Sequence, residues 1–335
     1  MRQSFEYHPV IGYRFIPGLK ARIPHEGGGY LIRVNDCGFR CERNFITEKK
    51  PGIRRVLLFG DSFTAGDGVS NKYRYGDLLE KKIPNLEVYN FGLPGAGTDQ
   101  QYLAYKEYAT GIKHDLLLIA VQVENIRRVA GHYRYWLNER GEQVCYAKPY
   151  YELVDGTLIL RNVPPRKEPI HEADLSKEER KFIAVGRFPK LKKMVKLVTR
   201  VGLKDLAQKA IRYQLAPEYN SPDNPAWQIM RAILEEWINN NRQRVLLMPL
   251  PPYQYVEEMG DPSHYQARFR EVASATGCML HDPLPDLLKY SLEERRGFRF
   301  QKDVHLTPQG HAALATSLTP ILEKLLDDLE QGVHK

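Results

Sequence analysis

The sequence predicts an α/β fold in which helices cover both faces of a parallel sheet. Two observations predict it. From Arg54 onward, short apolar runs alternate with helical stretches, the order in which parallel strands and their crossover helices follow one another. One run, Asp115–Gln122 (DLLLIAVQ), is almost continuously apolar rather than alternating, as a strand buried on both faces requires.

The elements follow in order. Val56–Phe59 reads as a short apolar strand, Tyr73–Lys82 as a helix and Leu86–Asn90 as a second strand. Asp99–Thr110 is helical, and Asp115–Gln122 is the third strand. After a long interval come a helix over Pro225–Asn240 carrying Trp227 and Trp237, a strand over Arg244–Pro249, a helix over Ser263–Thr276 and a short strand over Cys278–His281. A last helix runs from Thr307 to Leu329. Thr307 as N-cap with Pro308 at the first helical position is helix-start chemistry.

Two regions stand outside this alternation. Residues 1–50 read as irregular, with Gly27-Gly28-Gly29 and scattered prolines, but their recurring aromatic residues mark an extension packed on the core. Between about Gly131 and Asn224 the alternation stops. There, Lys148–Asn162 carries two alternating runs around Asp155-Gly156, a hairpin signal, and a strongly basic helical stretch follows from Lys181 to Tyr213. The expected organisation is an extension over 1–50, a core domain over 51–130 and 225–335, and an insertion or lid with a hairpin and basic helices over 131–224. A chain of 335 residues fits one α/β domain with such an insertion.

Net charge is +8 and the isoelectric point about 9.1. That balance suits nucleic acid, an anionic surface or an anionic substrate. The acidic residues are interspersed and no nucleic-acid motif accompanies the charge, so no nucleic-acid partner is expected. The stretch MRQSFEYHPV has no apolar signal region, and the longest apolar run, Leu116–Val121, is too short to span a bilayer. A cytoplasmic location is expected. Cys37, Cys41, Cys145 and Cys278 lack a second Cys/His pair to complete a zinc site and read as reduced thiols, with no metal.

The strand at Val56–Phe59 breaks into Gly60-Asp61-Ser62, with further glycines at Gly66 and Gly68. A serine hydroxyl needs a base, a group that orients the base, and donors for the oxyanion. Near the last helix stands QKDVHLTPQGH, which sets Asp303 and His305 one residue apart in the loop before the helix start. These residues carry a resemblance. Gly60-Asp61-Ser62 resembles the first block of the SGNH or GDSL hydrolase superfamily. Asn90-Phe91-Gly92-Leu93-Pro94-Gly95-Ala96-Gly97-Thr98 resembles its second block, Gln122-Val123-Glu124-Asn125 its third and Asp303-Val304-His305-Leu306 its fifth, all in family order. The extension motif VNDCGFR (34–40) is similar to the region before the first block in bacterial members of the carbohydrate-esterase type.

The resemblance implies a flavodoxin-like three-layer α/β/α sandwich. It also implies Ser62 as nucleophile, His305 as base, Asp303 as its orienter, and an oxyanion hole made by the Ser62 N–H, the Gly95 N–H and the Asn125 amide. No metal or organic cofactor is required. Asp61 is expected to bond nearby loop amides. Two departures matter. The third block reads Val-Glu-Asn-Ile where the family has Gly-x-Asn-Asp, and the fifth has one residue rather than two between Asp and His. Whether Asp303 or a backbone carbonyl orients His305 stays open.

The implied reaction is removal of an O-acyl group, O-acetyl first, from a carbohydrate or glycoconjugate through an acyl-serine. An O-acyltransferase, lipase or thioesterase is the alternative, and a catalytically silent binding protein of the same fold the alternative of another class. Tyr133, Tyr135, Trp136, Tyr150 and Tyr151 suit sugar stacking and equally a packed hairpin. Residues 188–214 read either as surface helices with a solvated basic face or as a lid touching an anionic membrane. Oligomeric state is not encoded in any of these patterns.

Overall fold

The computed structural model describes residues 4–137, 142–184, 215–241 and 244–330. The region expected to be irregular contains two antiparallel hairpins. β1 (Phe5–His8) pairs with β2 (Gly12–Phe15), and β3 (Lys20–Ile23) with β4 (Tyr30–Arg33). These strands are only four residues long and mostly half-buried, so they show no run or alternation long enough to register in the sequence.

The core sheet is built from β5 (Arg54–Phe59), β6 (Leu86–Asn90), β7 (Leu116–Gln122), β13 (Arg244–Leu250) and β14 (Met279–Leu280). All neighbours are parallel and their order is β14-β13-β7-β5-β6. This is the flavodoxin-like arrangement, a five-stranded sheet between two layers of helix. Its strands are apolar throughout because both faces are covered. Val56 and Leu58 pack with Tyr75, Leu314 and Leu318 on one side. Leu57 and Phe59 pack with Phe91, Tyr105 and Trp237 on the other. The chain leaves β5 for β6 on one side and returns to β7 on the other, which makes the carboxyl ends of β5 and β7 the switch point where such sheets bind ligands.

The helix expected over Tyr73–Lys82 is divided. A 3-10 turn covers Asn71–Tyr73, Arg74 is extended, and the α-helix runs Tyr75–Lys82. The break is held by the buried Arg74 side chain, whose Nη1 donates to the Arg40 carbonyl at 2.5 Å while Nε and Nη2 donate to Asp77 at 2.7 and 3.0 Å. It aims the Tyr75 N–H at Nδ1 of His311, 3.3 Å away. His311 is fully buried, and burial beside Arg74 and Arg40 pushes its pKa down to about 3.

The VNDCGFR stretch has a structural task. Asn35 Oδ1 accepts the N–H groups of Cys37 and Phe39 at 3.1 and 3.0 Å. Gly38 at φ +81° could not carry a Cβ, which would lie 2.6 Å from the Phe15 carbonyl. The turn delivers the fully buried Arg40 to the carbonyls of Gly66 and Val69, both at 2.8 Å, clamping the loop that follows Ser62.

Beyond β7, β8 (Tyr133–Leu137) pairs with β9 (Gln143–Ala147) and with the short β12 (Ile183–Ala184). The hairpin expected around Asp155-Gly156 is β10 (Tyr150–Val154) with β11 (Thr157–Arg161). Both turn residues have positive φ, 47° and 77°, as a tight hairpin turn requires. Lys181 and Phe182 close a turn and lead into β12 rather than beginning a helix, because β12 adds to the edge of β8. The basic segment 188–214 lies outside the described residues. Among the described residues no helix is long and apolar enough to cross a membrane.

The loop after β6 touches the turn after β5 backbone to backbone. Asn90 Nδ2 donates to the Thr64 carbonyl at 2.9 Å, and its Oδ1 accepts the Gly92 N–H at 2.8 Å. A Cβ on Gly92 would lie 2.3 Å from the Ala65 nitrogen. Gly92→Ala should therefore destabilise the fold by about 2 kcal/mol or more, read as a lowered urea midpoint at unchanged m-value.

Candidate active site

β5 ends at Phe59, and Gly60 and Asp61 turn the chain into a one-turn helix, α1 (Ser62–Ala65). Gly60 is required by crowding, since a Cβ there would lie 1.9 Å from Thr64 Oγ1. Asp61 is the helix N-cap and is fully buried. Its Oδ1 accepts the Phe63 N–H at 3.0 Å and its Oδ2 accepts Arg128 Nη1 at 2.9 Å. Ser62, only 5% exposed, is thus presented at the first helical position above the sheet switch point.

Across 243 residues of sequence, His305 meets it. His305 Nε2 lies 2.8 Å from Ser62 Oγ, and Nδ1 lies 2.6 Å from Asp303 Oδ1. Because Asp303 can only accept, the proton belongs on Nδ1, which leaves Nε2 as acceptor for the Ser62 hydroxyl. The one-residue spacing is accommodated by an Asx-type turn, in which Asp303 Oδ1 also accepts the His305 N–H at 3.2 Å. Burial works against a charged His305, but the bond to Asp303 and the charges of Asp67, Asp303 and Asp61 outweigh it, so its pKa lies above the ordinary 6.5. For Asp303, burial alone would raise the pKa. The bonds and charge of His305, with a bond from His25, hold it far below the usual carboxylate range.

The N-terminal extension completes this loop, through residues the sequence did not single out. Glu26 Oε1 accepts the Asp303 N–H at 2.6 Å and the Lys302 N–H at 2.9 Å. His25 Nδ1 accepts the Gly27 N–H at 3.3 Å. That puts the proton on Nε2, which donates to Asp303 Oδ2 at 3.2 Å. The His25 ring is fixed edge-on against Phe300, with centroids 4.4 Å apart.

Ser62 and His305 open into a cavity of about 530 Å³ that Gly95 also lines. Gly95 has φ +75° and lies directly under the Arg134 guanidinium, whose Nη2 would be 1.7 Å from a Cβ at that position. Asn125 follows β7 in a 3-10 turn (Val123–Asn125) and is fully buried, with both amide atoms unpartnered. From that stretch of chain the cavity wall itself is formed by Gln122, Glu124 and Arg128. Of the five aromatic residues marked for sugar stacking, Trp136 lines the cavity. Tyr133 and Tyr135 instead donate to Glu179 and Glu172 at 2.9 and 2.6 Å, Tyr150 stacks on His132, and the buried Tyr151 stacks on Tyr102.

Residues 56–130 match the family model for GDSL-like lipase/acylhydrolase. Among curated proteins none matches the chain. Among solved structures, a lipolytic protein of the G-D-S-L family from Veillonella parvula is 12% identical, covering 81% of this chain and 98% of its own, with a TM-score of 0.42. A lipase/acylhydrolase from Enterococcus faecalis is 16% identical, covering 81% and 96%, with a TM-score of 0.44. An acetyl xylan esterase is 17% identical, covering 80% and 98%, with a TM-score of 0.39. The matched segment holds Ser62, Gly95 and Asn125, and over those residues the chain is similar to GDSL-like lipases and acylhydrolases.

Proposed function

We propose that this chain is a serine esterase that removes O-acyl groups, acetyl first among them, from a carbohydrate or glycoconjugate. The observation that carries the reading is the hydrogen-bonded series from Ser62 Oγ through His305 to Asp303, with Ser62 and His305 lining a cavity partly walled by aromatic rings. His305 Nε2 takes the Ser62 proton as Oγ attacks the ester carbonyl. Asp303 stabilises the imidazolium that forms. The Ser62 N–H, the Gly95 N–H and the Asn125 amide receive the developing oxyanion. Asn125 is fully buried at the end of β7, and its neighbours Gln122, Glu124 and Arg128 line the cavity. His305 then protonates the leaving alcohol, and water resolves the acyl-serine by the reverse sequence. Trp136 at the cavity wall supports a sugar ring as the alcohol portion. A screen of acyl donors and acceptors read by mass spectrometry tests the substrate class, and transfer to a sugar hydroxyl in place of water would reassign the chain as an acyltransferase.

Ser62→Ala and His305→Ala should each reduce kcat/KM to near background and abolish or strongly slow fluorophosphonate labelling. The double variant should be little worse than either single one, because the two act as a unit. Strictly additive losses would separate them.

Asn125→Ala should lower kcat by roughly 100-fold with little change in KM. An unchanged kcat would remove Asn125 from the oxyanion site.

The raised His305 pKa places the acid limb of the kcat/KM profile above pH 6.5, since the base must be neutral to accept the serine proton. Asp303→Asn removes one of the charges that raise it. The limb should move to lower pH while the plateau falls by more than about 100-fold, the amide being able to hold the wrong tautomer. A plateau loss under about tenfold would assign the orienting role elsewhere.

A further inference from the structure

The charged side chains that line the cavity are nearly all paired. Asp67 lies 3.9 Å from Arg40, Glu124 lies 3.8 Å from Arg127, Arg128 is bonded to Asp61 at 2.9 Å, and His305 to Asp303 at 2.6 Å. Arg134 differs. Among the described residues its guanidinium meets only neutral acceptors, the Tyr13 hydroxyl and the Pro94 carbonyl, the latter at 3.3 Å, and both bonds come from Nη1. Its guanidinium carbon lies over the rings of Trp136 and Tyr13, 4.3 and 5.1 Å from their centroids. The field of Asp67 reaches it, but no described carboxylate comes within ion-pair distance.

A guanidinium stays charged at all physiological pH, and Arg134, half-buried in the wall, has no described carboxylate at ion-pair distance to neutralise it. Two aromatic rings and a tyrosine hydroxyl fix Arg134 in the wall shared with Ser62, leaving Nε and Nη2 without a described acceptor. That is the fork geometry that takes an oxyanion in a bidentate manner.

We infer that Arg134 is the recognition group for a carboxylate or phosphate on the substrate of Ser62. The inference rests on the esterase reading above. Since an acetyl group carries no charge, the anion belongs to the alcohol portion, making the substrate an acylated acidic sugar. Trp136 lines the same cavity, with Arg134 over its ring and Phe5 edge-on to it.

The test compares kcat/KM for matched acetate esters. Acetylated galacturonate against acetylated galactose probes a carboxylate, and acetylated glucose 6-phosphate against acetylated glucose probes a phosphate. At least one anionic member should be preferred by about tenfold or more, with the preference shrinking as salt rises. Arg134→Gln should collapse that ratio towards one, and Arg134→Lys should restore part of it. A ratio near one in the unaltered enzyme, or equal losses on charged and neutral esters in Arg134→Gln, overturns the inference. Should the variants fail to fold, protection of Ser62 from a fluorophosphonate by galacturonate or glucose 6-phosphate, against their neutral counterparts, decides the matter on the native chain. Equal protection by charged and neutral sugars overturns the inference. A native chain that neither labels at Ser62 nor hydrolyses any of the esters defeats the esterase reading itself, whereas labelling without a charge preference defeats only the role of Arg134.

Discussion

The carboxylate of Asp61 is the point on which the site depends. It is wholly removed from solvent, a placement that carries a desolvation penalty of several kcal/mol for a charged group, and it is tolerated because an amide and a guanidinium face it. Through those two bonds it joins the one-turn helix after β5 to the short helix Ile126–Val129, which carries Arg128 after β7. The two strands are neighbours in the sheet, so the carboxylate spans the switch point and sets the height of Ser62 above it. Close approach does the rest. Gly60 and Gly92 lack the atom that would push α1 away, and the Thr64 hydroxyl meets the Tyr75 hydroxyl at 2.7 Å beneath it.

His305 is governed from a second direction. Its partner Asp303 is held by four contacts, two from His305 itself and two from the extension residues His25 and Glu26. The extension therefore acts on both halves of the site. Arg40 fixes the loop behind Ser62, and the turn between β3 and β4 fixes the loop that carries His305. Neither contact touches the reacting atoms. Both limit how far those atoms can drift from the 2.8 Å separation of Ser62 Oγ and His305 Nε2.

Local patterns in the sequence carried the parts of this arrangement that are local. β6 and the helix Ser263–Thr276 fall on their expected bounds, and the other core elements shift by a few residues at their ends. Ser62 and His305 stood out through the resemblance of their sequence blocks, and the structure sets them 2.8 Å apart. What escaped is long-range. His25 and Glu26 acquire their importance from a loop nearly 280 residues away, and Arg134 from its position against the rings of Tyr13 and Trp136. Burial also sorts residues that composition cannot. Five aromatic residues of similar character divide into one cavity-lining tryptophan and four tyrosines committed to packing or to carboxylate partners. The extended Arg74 that interrupts a helical stretch depends on Arg40 and Asp77, and only the first of these lies far enough away to be invisible to periodicity.

The separation of 243 residues between Ser62 and His305 has a consequence for the order of events during synthesis. The glycine-lined turn, the hairpin of β3 and β4 and the Arg40 clamp all emerge from the ribosome long before the imidazole of His305. Closing such a span carries an entropic penalty that grows only logarithmically with its length, on the order of (3/2)RT ln n, but topologies dominated by distant contacts assemble slowly. The contact between Ser62 Oγ and His305 Nε2 therefore forms only once His305 has emerged, and with it comes the helix Pro308–Glu330, whose Leu314 and Leu318 cover one face of the strand that leads to Ser62.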